Sequence, residues 1–331
     1  MHSFLTPEPV TIEVRNSAGS VLIDLADITT STVDVVAGPS HPLGFLDDVI
    51  RAAKAQFVGG RPAGRSDEGY DSGYGADRPV DDPAERVRVD LRQHGTGGES
   101  STLIVDTDPA REGWKSSFTV HITAPAGSGV RVQTQSANTV SNGIAGRVEV
   151  RTASGDARID QVLGRSVVQT ASGDVAIADT AECDIRTASG DIEVRRVRDE
   201  ALLHSTSGQI RVDAAGDDLS ARSVSGDIRV HDASSGRVEL VTVSGDVEIG
   251  VHAGTLAAVE LSTVSGSTNN DFVVSDEPPA RSAAADAAYV VDADADADQP
   301  IGGAIAADEP VLDLRVKTTS GDIRLRRAAL V

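Results

Sequence analysis

Apolar and small residues recur with the spacing of β-strands through much of this chain of 331 residues. Around a repeated glycine they lie seven, five and three positions before it and two and four positions after it. Around Gly190 these positions hold, in order, Cys183, Ile185, Thr187, Ile192 and Val194. Residues between them, such as Arg186 and Glu193, are charged. Side chains that alternate in this way face opposite sides of a strand, so the pattern predicts two strands flanking each glycine.

The glycine belongs to a motif that reads RTASGD at 151–156, QTASGD at 169–174 and RTASGD again at 186–191. Copies lie 17 to 21 residues apart, and the last copy follows after an interval of 55. A unit of this length is too short for a crossover helix, which favours one solenoid coil per unit, paired in parallel with the next. The predicted fold class is all-β: a parallel β-solenoid, similar to a single-stranded β-helix, with coils of about 18 residues, one short capping helix and disordered insertions.

The Ser-Gly-Asp triplet that ends each motif is interpreted as a structural turn. Glycine permits a positive φ, the serine is assigned the inward parity of the preceding threonine, and the aspartate side chain can accept a hydrogen bond from turn amides. Gln209 and Ser267 replace the aspartate in two units without breaking the period, which a fixed chemical requirement would not tolerate. The predicted turn residues are Ser154, Gly155, Asp156, Ser172, Gly173, Asp174, Ser189, Gly190, Asp191, Ser207, Gly208, Ser225, Gly226, Asp227, Ser244, Gly245, Asp246, Ser265, Gly266, Ser320, Gly321 and Asp322.

Less regular strands precede the clear repeats. Val130, Val132 and Thr134 stand before Ala137 at the offsets of an eroded repeat, in which the sequence SAN replaces the glycine turn. Asparagine tolerates a left-handed backbone, so such a turn can persist without glycine. Further strands are predicted within 10–36, with RNSAGS at 15–20 as a degenerate turn, and at 86–92, 101–106 and 117–123. These strands would begin the same stack.

The pattern divides the chain into segments. Phe45, Val49, Ala53 and Phe57 recur at four-residue steps, which predicts a short amphipathic helix that caps the first coils. The predicted segments are an N-terminal β segment (1–43), this helix (44–58), a disordered loop (59–85), β-solenoid repeats (86–267), an acidic, Ala/Asp-rich disordered insertion (268–310) and the final solenoid coil (311–331).

The composition of the chain restricts which binding partners and which cellular compartment are expected. The 51 acidic and 30 basic residues give a formal net charge of -21, which argues against nucleic acid and anionic membranes. Aromatic residues make up 3% of the chain, so the core must be thin and built from small side chains. The amino terminus has neither a basic nor an apolar signal region, and no run of 18 apolar residues occurs, so we expect a cytoplasmic protein without membrane insertion.

No catalytic, cofactor or metal site is predicted. The histidines fall at different repeat offsets, and a zinc site needs several ligands at set spacing; they are His2, His41, His94, His121, His204, His231 and His252. Cys183 has an inward offset and is predicted to be a buried small hydrophobe. The aspartates of the motif would form a row of like charges about 5 Å apart, which outward arginines could offset. A calcium-binding repeat protein is therefore an alternative.

A second alternative is a carbohydrate-binding protein or a polysaccharide-active β-helix enzyme. Two carboxylates about 5 to 9 Å apart can cleave a glycosidic bond, and neighbouring coils supply that spacing wherever acidic residues stack. The repeats nearly lack aromatic platforms for sugars, because Trp114 is the only tryptophan and lies outside them. We therefore predict that the protein is not an enzyme.

The TASGD and VSGDI units, the lead-in FTVHITAPAGSGVRVQT at 118–134 and the opening EPVTIEVRNSAGSVLID resemble the bacterial putative-adhesin family of β-strand-repeat proteins, a domain of unknown function. The resemblance covers about residues 8–36 and 86–327. It implies a repetitive β architecture, with no established activity and no catalytic residues.

The predicted function is a non-catalytic, adhesin-like scaffold or interaction protein. Solenoids present extended surfaces, and the open edges of terminal coils can template the addition of a strand. The flat ladder faces would contact a protein partner or further copies of the chain.

Overall fold

The structure is a computed structural model, and it describes residues 1–38, 87–94, 100–108, 117–272 and 311–328. These residues form strands and turns without an α-helix, which confirms the all-β prediction. The helix predicted at 44–58, the loop predicted at 59–85 and most of the insertion predicted at 268–310 lie outside the described residues.

The strands form one mostly parallel sheet that winds into coils. In chain order they are β1 (His2–Leu5), β2 (Thr11–Ala26), β3 (Thr30–Gly38), β4 (Arg88–His94), β5 (Ser100–Asp106), β6 (Ser117–Pro125), β7 (Gly129–Ala145), β8 (Arg147–Ser154), β9 (Ala157–Ser172), β10 (Val175–Ser189), β11 (Ile192–Val197), β12 (Ala201–Ser207), β13 (Ile210–Ala215), β14 (Leu219–Ser225), β15 (Ile228–Ala233), β16 (Gly236–Ser244), β17 (Val247–Val251), β18 (Leu256–Ser265), β19 (Thr268–Asn270), β20 (Val311–Ser320) and β21 (Ile323–Arg327).

Each coil has two strands joined at the Ser-Gly-Asp turn, and each strand pairs with its counterparts in the neighbouring coils. β14, for example, pairs in parallel with β12 on one side and with β16 on the other. β15 pairs likewise with β13 and β17. Equivalent residues are aligned, so that Ser207, Ser225 and Ser244 lie side by side. This in-register stacking confirms the parallel β-solenoid.

The core is a narrow column of small side chains. One of its rows runs through Ser166, Cys183, Ala201 and Leu219, which are aligned and at most 2% exposed. Removing such side chains from water is the main favourable term in folding, at about 1.5–3 kcal/mol for a fully buried Val or Leu. The repeated inward offsets therefore generate both the coil and its stability.

At the N-terminal end the order of coils in space differs from their order in sequence. β2 lies between β5 and β6 on one side and β7 on the other. β1, β3 and β4 then close this end with antiparallel pairings. Hydrogen bonding in β2 continues through residues 15–20, where the sequence suggests a degenerate turn. Buried Asn16 holds this site by donating to the Phe118 carbonyl and accepting from Thr107 Oγ1, each at 3.0 Å.

The C-terminal end shows the same inversion. The Gly321 coil (residues 311–327) lies between the Gly245 coil (residues 236–251) and the Gly266 coil (residues 256–270), because β20 pairs with both β16 and β18. β21 pairs likewise with β17 and β19. The last coil in sequence is thus not the last in the stack. β19 also extends the Gly266 coil past residue 268, where the insertion was predicted to begin.

Candidate functional site

The aspartates of the turn form a ladder of hydrogen bonds between coils. The carboxylate of Asp174 accepts the backbone N–H of Asp191 at 2.9 Å, and Asp191 accepts that of Gln209 at 2.8 Å. Asp227, Asp246 and Asp322 repeat the pattern towards the C-terminal end. The side chain therefore links each coil to the next, rather than closing its own turn.

The eroded repeat takes part in this ladder. The side chain of Asn138 accepts the N–H of Asp156 at 3.0 Å, so an amide oxygen replaces the carboxylate at the first rung. The two replacements of aspartate behave differently from each other. Ser267 lies in the terminal Gly266 coil, where no further described coil needs an acceptor. The Gln209 side chain instead accepts a hydrogen bond from Arg229 at 2.9 Å.

The turn glycines are required by close packing. A Cβ on Gly208 would lie 2.1 Å from the Gly190 carbonyl oxygen, and a Cβ on Gly226 would lie 2.1 Å from that of Gly208. The sequence suggested that glycine is needed at the turn because it permits a positive φ. The turn glycines do not all have a positive φ, since Gly155 and Gly173 lack it. The close approach of the preceding coil is the shared cause.

The prediction that the turn serines face inward was wrong. Ser154, Ser172, Ser189 and their counterparts are exposed, whereas the preceding Thr152, Thr170 and Thr187 are buried. The strand alternation ends before the serine because the chain is already turning. Its backbone contributes instead: the N–H of Gly155 donates to the Ser172 carbonyl at 3.2 Å.

The outward face of the second strands has an open depression of about 490 Å³. Its floor is formed by Ala176 and Ala178 of β10. Arg158 of β9 and Glu193 of β11 lie on either side of Ala176 in the strand register. Asp160 and Arg195 follow two residues later on the same strands and also line the depression. Two small residues in one coil thus create a groove between two charged walls.

Most of the charged side chains along this groove are unpaired among the described residues, unlike several in the following coils of the same face. Within the described part of the chain, Arg158, Glu193 and Arg195 form no ion pair or side-chain hydrogen bond. In the following coils Arg211 pairs with Asp213 at 3.2 Å, and Arg229 with Asp227 at 2.8 Å. The groove therefore holds charges that are available to a ligand.

Residues 115–299, more than half of the chain, match the Toastrack DUF4097 family. The chain belongs to the Toastrack DUF4097 family. This membership confirms the resemblance carried by the repeated motif. No curated protein matches the chain.

Two solved structures align with this Toastrack chain. A putative cell adhesion protein from Clostridium sporogenes ATCC 15579 is 7% identical, with 98% of each chain covered and a TM-score of 0.22. A putative adhesin from Bacteroides fragilis NCTC 9343 is 10% identical, with 98% of this chain and 95% of that chain covered and a TM-score of 0.38.

Reactive groups of the Toastrack chain are held in structural contacts. Cys183 is 2% exposed, and burial, with smaller contributions from Asp184 and Glu200, raises the pKa of its thiol to about 12. His121, His231 and His252 each contact one aspartate, at 2.7 to 2.9 Å. The described ranges contain no cluster of three or more His, Cys, Asp or Glu side chains arranged to hold a metal ion. Nor do they contain a helix long and apolar enough to cross a bilayer.

Two aspartates have shifted pKa values. Desolvation, followed by repulsion from Asp218 and Asp199, raises the pKa of Asp217. The pKa of Asp322 is lowered, chiefly because its carboxylate accepts the backbone N–H of Ser267 and secondly because it accepts the Ser267 hydroxyl. Asp217 is exposed and Asp322 is partly exposed, and neither lines the groove.

Proposed function

We propose that the protein is a non-catalytic, adhesin-like interaction scaffold that binds a protein partner in the groove over Ala176 and Ala178. The observation that carries the proposal is the set of groove charges that have no partner within the described part of the chain: Arg158, Glu193 and Arg195. Side chains of this kind remain hydrated until a ligand replaces the water. The paired strands fix the backbone that carries them, so only the side chains have to be ordered on binding.

An extended peptide is the ligand class that fits this geometry. The walls lie on the coils either side of the floor, so their strands are separated by about 9.6 Å, twice the strand spacing. An arginine faces a glutamate across one end of the groove, and an aspartate faces an arginine across the other. A segment with alternating acidic and basic side chains would pair with both ends. Bidentate Arg–carboxylate pairs would then give specificity as well as affinity.

Carbohydrate binding is the alternative, and the groove supports it less. No aromatic side chain lines the depression, so a sugar ring would lack a stacking surface. A glycan array therefore accompanies the peptide experiment described next, to measure whether the protein binds sugars.

The proposal is tested by panning a random peptide library against the immobilised full chain. Enriched peptides should carry alternating charges. Their affinity should fall at least tenfold for the double variant Arg158→Glu, Arg195→Glu, as expected when about 1.4 kcal/mol or more is lost. The matched control is Arg147→Glu, a charge reversal at an exposed position on β8. β8 and the part of β9 that carries Arg158 flank the Gly155 turn and belong to the same coil.

Peptide binding that survives the double variant unchanged would overturn the assignment of the groove. Failure to enrich any peptide, together with glycan binding that the double variant abolishes, would favour the carbohydrate alternative. Self-association through the same face would appear as a dimer that the double variant dissociates and the control does not.

A further inference from the structure

The Gly321 coil occupies a slot between two coils that are adjacent in sequence. On one side β16 and β17 pair with it, and on the other side β18 and β19 do. The turn ladder also passes through it, since the Asp322 N–H donates to Asp246 and the Asp322 carboxylate accepts from Ser267, each at 2.9 Å. The slot therefore supplies a full set of partners on both edges of this coil.

The connections on either side of the slot are very different in length. Only residues 252–255 join the Gly245 coil to the Gly266 coil, and they step over the inserted coil. The segment that leads from β19 to β20 spans residues 271–310, which can reach at most roughly 140 Å when extended. The inserted coil is thus tethered to its slot by a long connection, whereas the slot itself is closed by a short one.

We infer that the slot accepts the Gly321 coil of a second copy of this chain as well as its own, so that two copies form a dimer by exchanging residues 311–327. The hydrogen bonds and buried side chains are the same in both arrangements, because only the origin of the coil changes. The choice is then set by the effective concentration of the tethered coil, which falls as the connecting chain becomes longer. This is the energetic basis of domain swapping.

The terminal position of the Gly266 coil helps to open the slot. Among the described strands, β18 pairs only with β20, and β19 only with β21. Releasing the Gly266 coil therefore breaks its strand pairings with one neighbouring coil, whereas releasing an interior coil would break pairings with two. Neither the slot nor the exchanged coil includes a residue of the groove, so this inference does not depend on the proposed function.

The test uses two single-cysteine chains in a Cys183→Ala background, one carrying Glu260→Cys and the other Arg315→Cys. These positions are aligned on β18 and β20, and their side chains point outward. The two chains are unfolded, mixed at several hundred micromolar, refolded together and oxidised. Coil exchange predicts a disulfide-linked dimer that contains one chain of each kind, and a yield that increases with protein concentration.

Two controls make the result decisive. A chain with both cysteines must form the disulfide, which shows that the site tolerates it. Replacing the first chain with Arg131→Cys, an exposed position on β7, must give no linked dimer with Arg315→Cys. Closure of the double-cysteine chain as a monomer, with no mixed dimer at any concentration, would overturn the inference.

Discussion

The carboxylate of Asp156 accepts the backbone N–H of Asp174, one coil further along the stack, at 3.1 Å. At the same turn, the N–H of Ala157 donates to the Asp174 carbonyl at 2.9 Å. The two hydrogen bonds run in opposite directions and fix the separation of the coils. Where the motif carries its aspartate, the side chain supplies an acceptor to the next coil, whereas Gln209 accepts from Arg229 instead. The amide donors partly offset the repulsion between neighbouring carboxylates.

We expect Asp174→Ala to lower the free energy of unfolding by about 1 kcal/mol, because the N–H of Asp191 loses its acceptor. Asp174→Asn should be nearly neutral, because Asn138 already fills this role for Asp156. Urea denaturation of both variants measures the difference. Equal losses for alanine and asparagine would show that the charge, rather than the acceptor, is required.

We expect Gly208→Ala to destabilise the protein by about 3 kcal/mol, a value typical of overpacking. The new Cβ would lie 2.1 Å from the Gly190 carbonyl oxygen, which a stacked backbone cannot move away. Gly38→Ala is the matched control, since no atom lies within 4 Å of its added Cβ. Thermal unfolding of the two variants compares them, and an unchanged Gly208→Ala would contradict the close stacking of turns.

We expect Ser267→Ala to raise the pKa of Asp322 towards its ordinary value, because the hydroxyl hydrogen bond is lost. The pKa should stay below that value, since the Ser267 backbone N–H still donates to the carboxylate. A lowered pKa means that the contact stabilises the fold above the ordinary carboxyl pKa and loses that effect as pH falls through the folded value. NMR titration of the carboxyl carbon checks this, with Ser262→Ala as control; an unchanged or lower pKa in Ser267→Ala would contradict it.

We expect Cys183 to make the fold sensitive to alkali. Its thiol has a pKa of about 12 when folded and about 9 when unfolded, so the unfolded chain loses its proton first and stability falls as pH rises between those values. At pH 10.5 the loss from this group should be about 2 kcal/mol.

The stability of Cys183→Ala should not show the decrease at high pH that comes from this thiol. Ala201, which is aligned with Cys183 in the next coil, shows that alanine fits the same row of the core. Urea denaturation at pH 7 and pH 10.5 separates the pH effect from the cost of the smaller side chain. Identical pH dependence in both proteins would contradict the burial of the thiol.

Much of the fold could be predicted from the sequence because inward and outward positions repeat around each glycine. The inward assignment of Cys183, Ile185 and Ile192 is confirmed by their burial. Even the eroded repeat at Ala137 could be identified, because its strand offsets survive although its glycine does not. Periodicity alone could not assign the turn serines, since strand parity ends where the backbone bends.

The order of the coils could not be predicted, because a repeat period indicates which segments are equivalent and not which ones are neighbours. One signal was present. The interval from Gly245 to Gly266 is 21 residues, the longest between consecutive repeats from Gly155 to Gly266, and the chain there has to pass over an inserted coil. The groove also left a signal in the sequence, because Ala176 and Ala178 put two small residues at outward offsets that are mostly charged or polar in other units.

Cysteine pairs on the outward face test the stacked and inserted arrangement most directly. Glu239, Arg315 and Glu260 lie in that order on β16, β20 and β18. Neighbouring strands are about 4.8 Å apart, within the Cα separation that a disulfide spans, whereas alternate strands are about 9.6 Å apart.

In a Cys183→Ala background, Glu239→Cys with Arg315→Cys should form a disulfide, as should Glu260→Cys with Arg315→Cys. Glu239→Cys with Glu260→Cys should not. A disulfide in this last pair, together with none between positions 239 and 315, would show that the coils stack in sequence order and would contradict the structure.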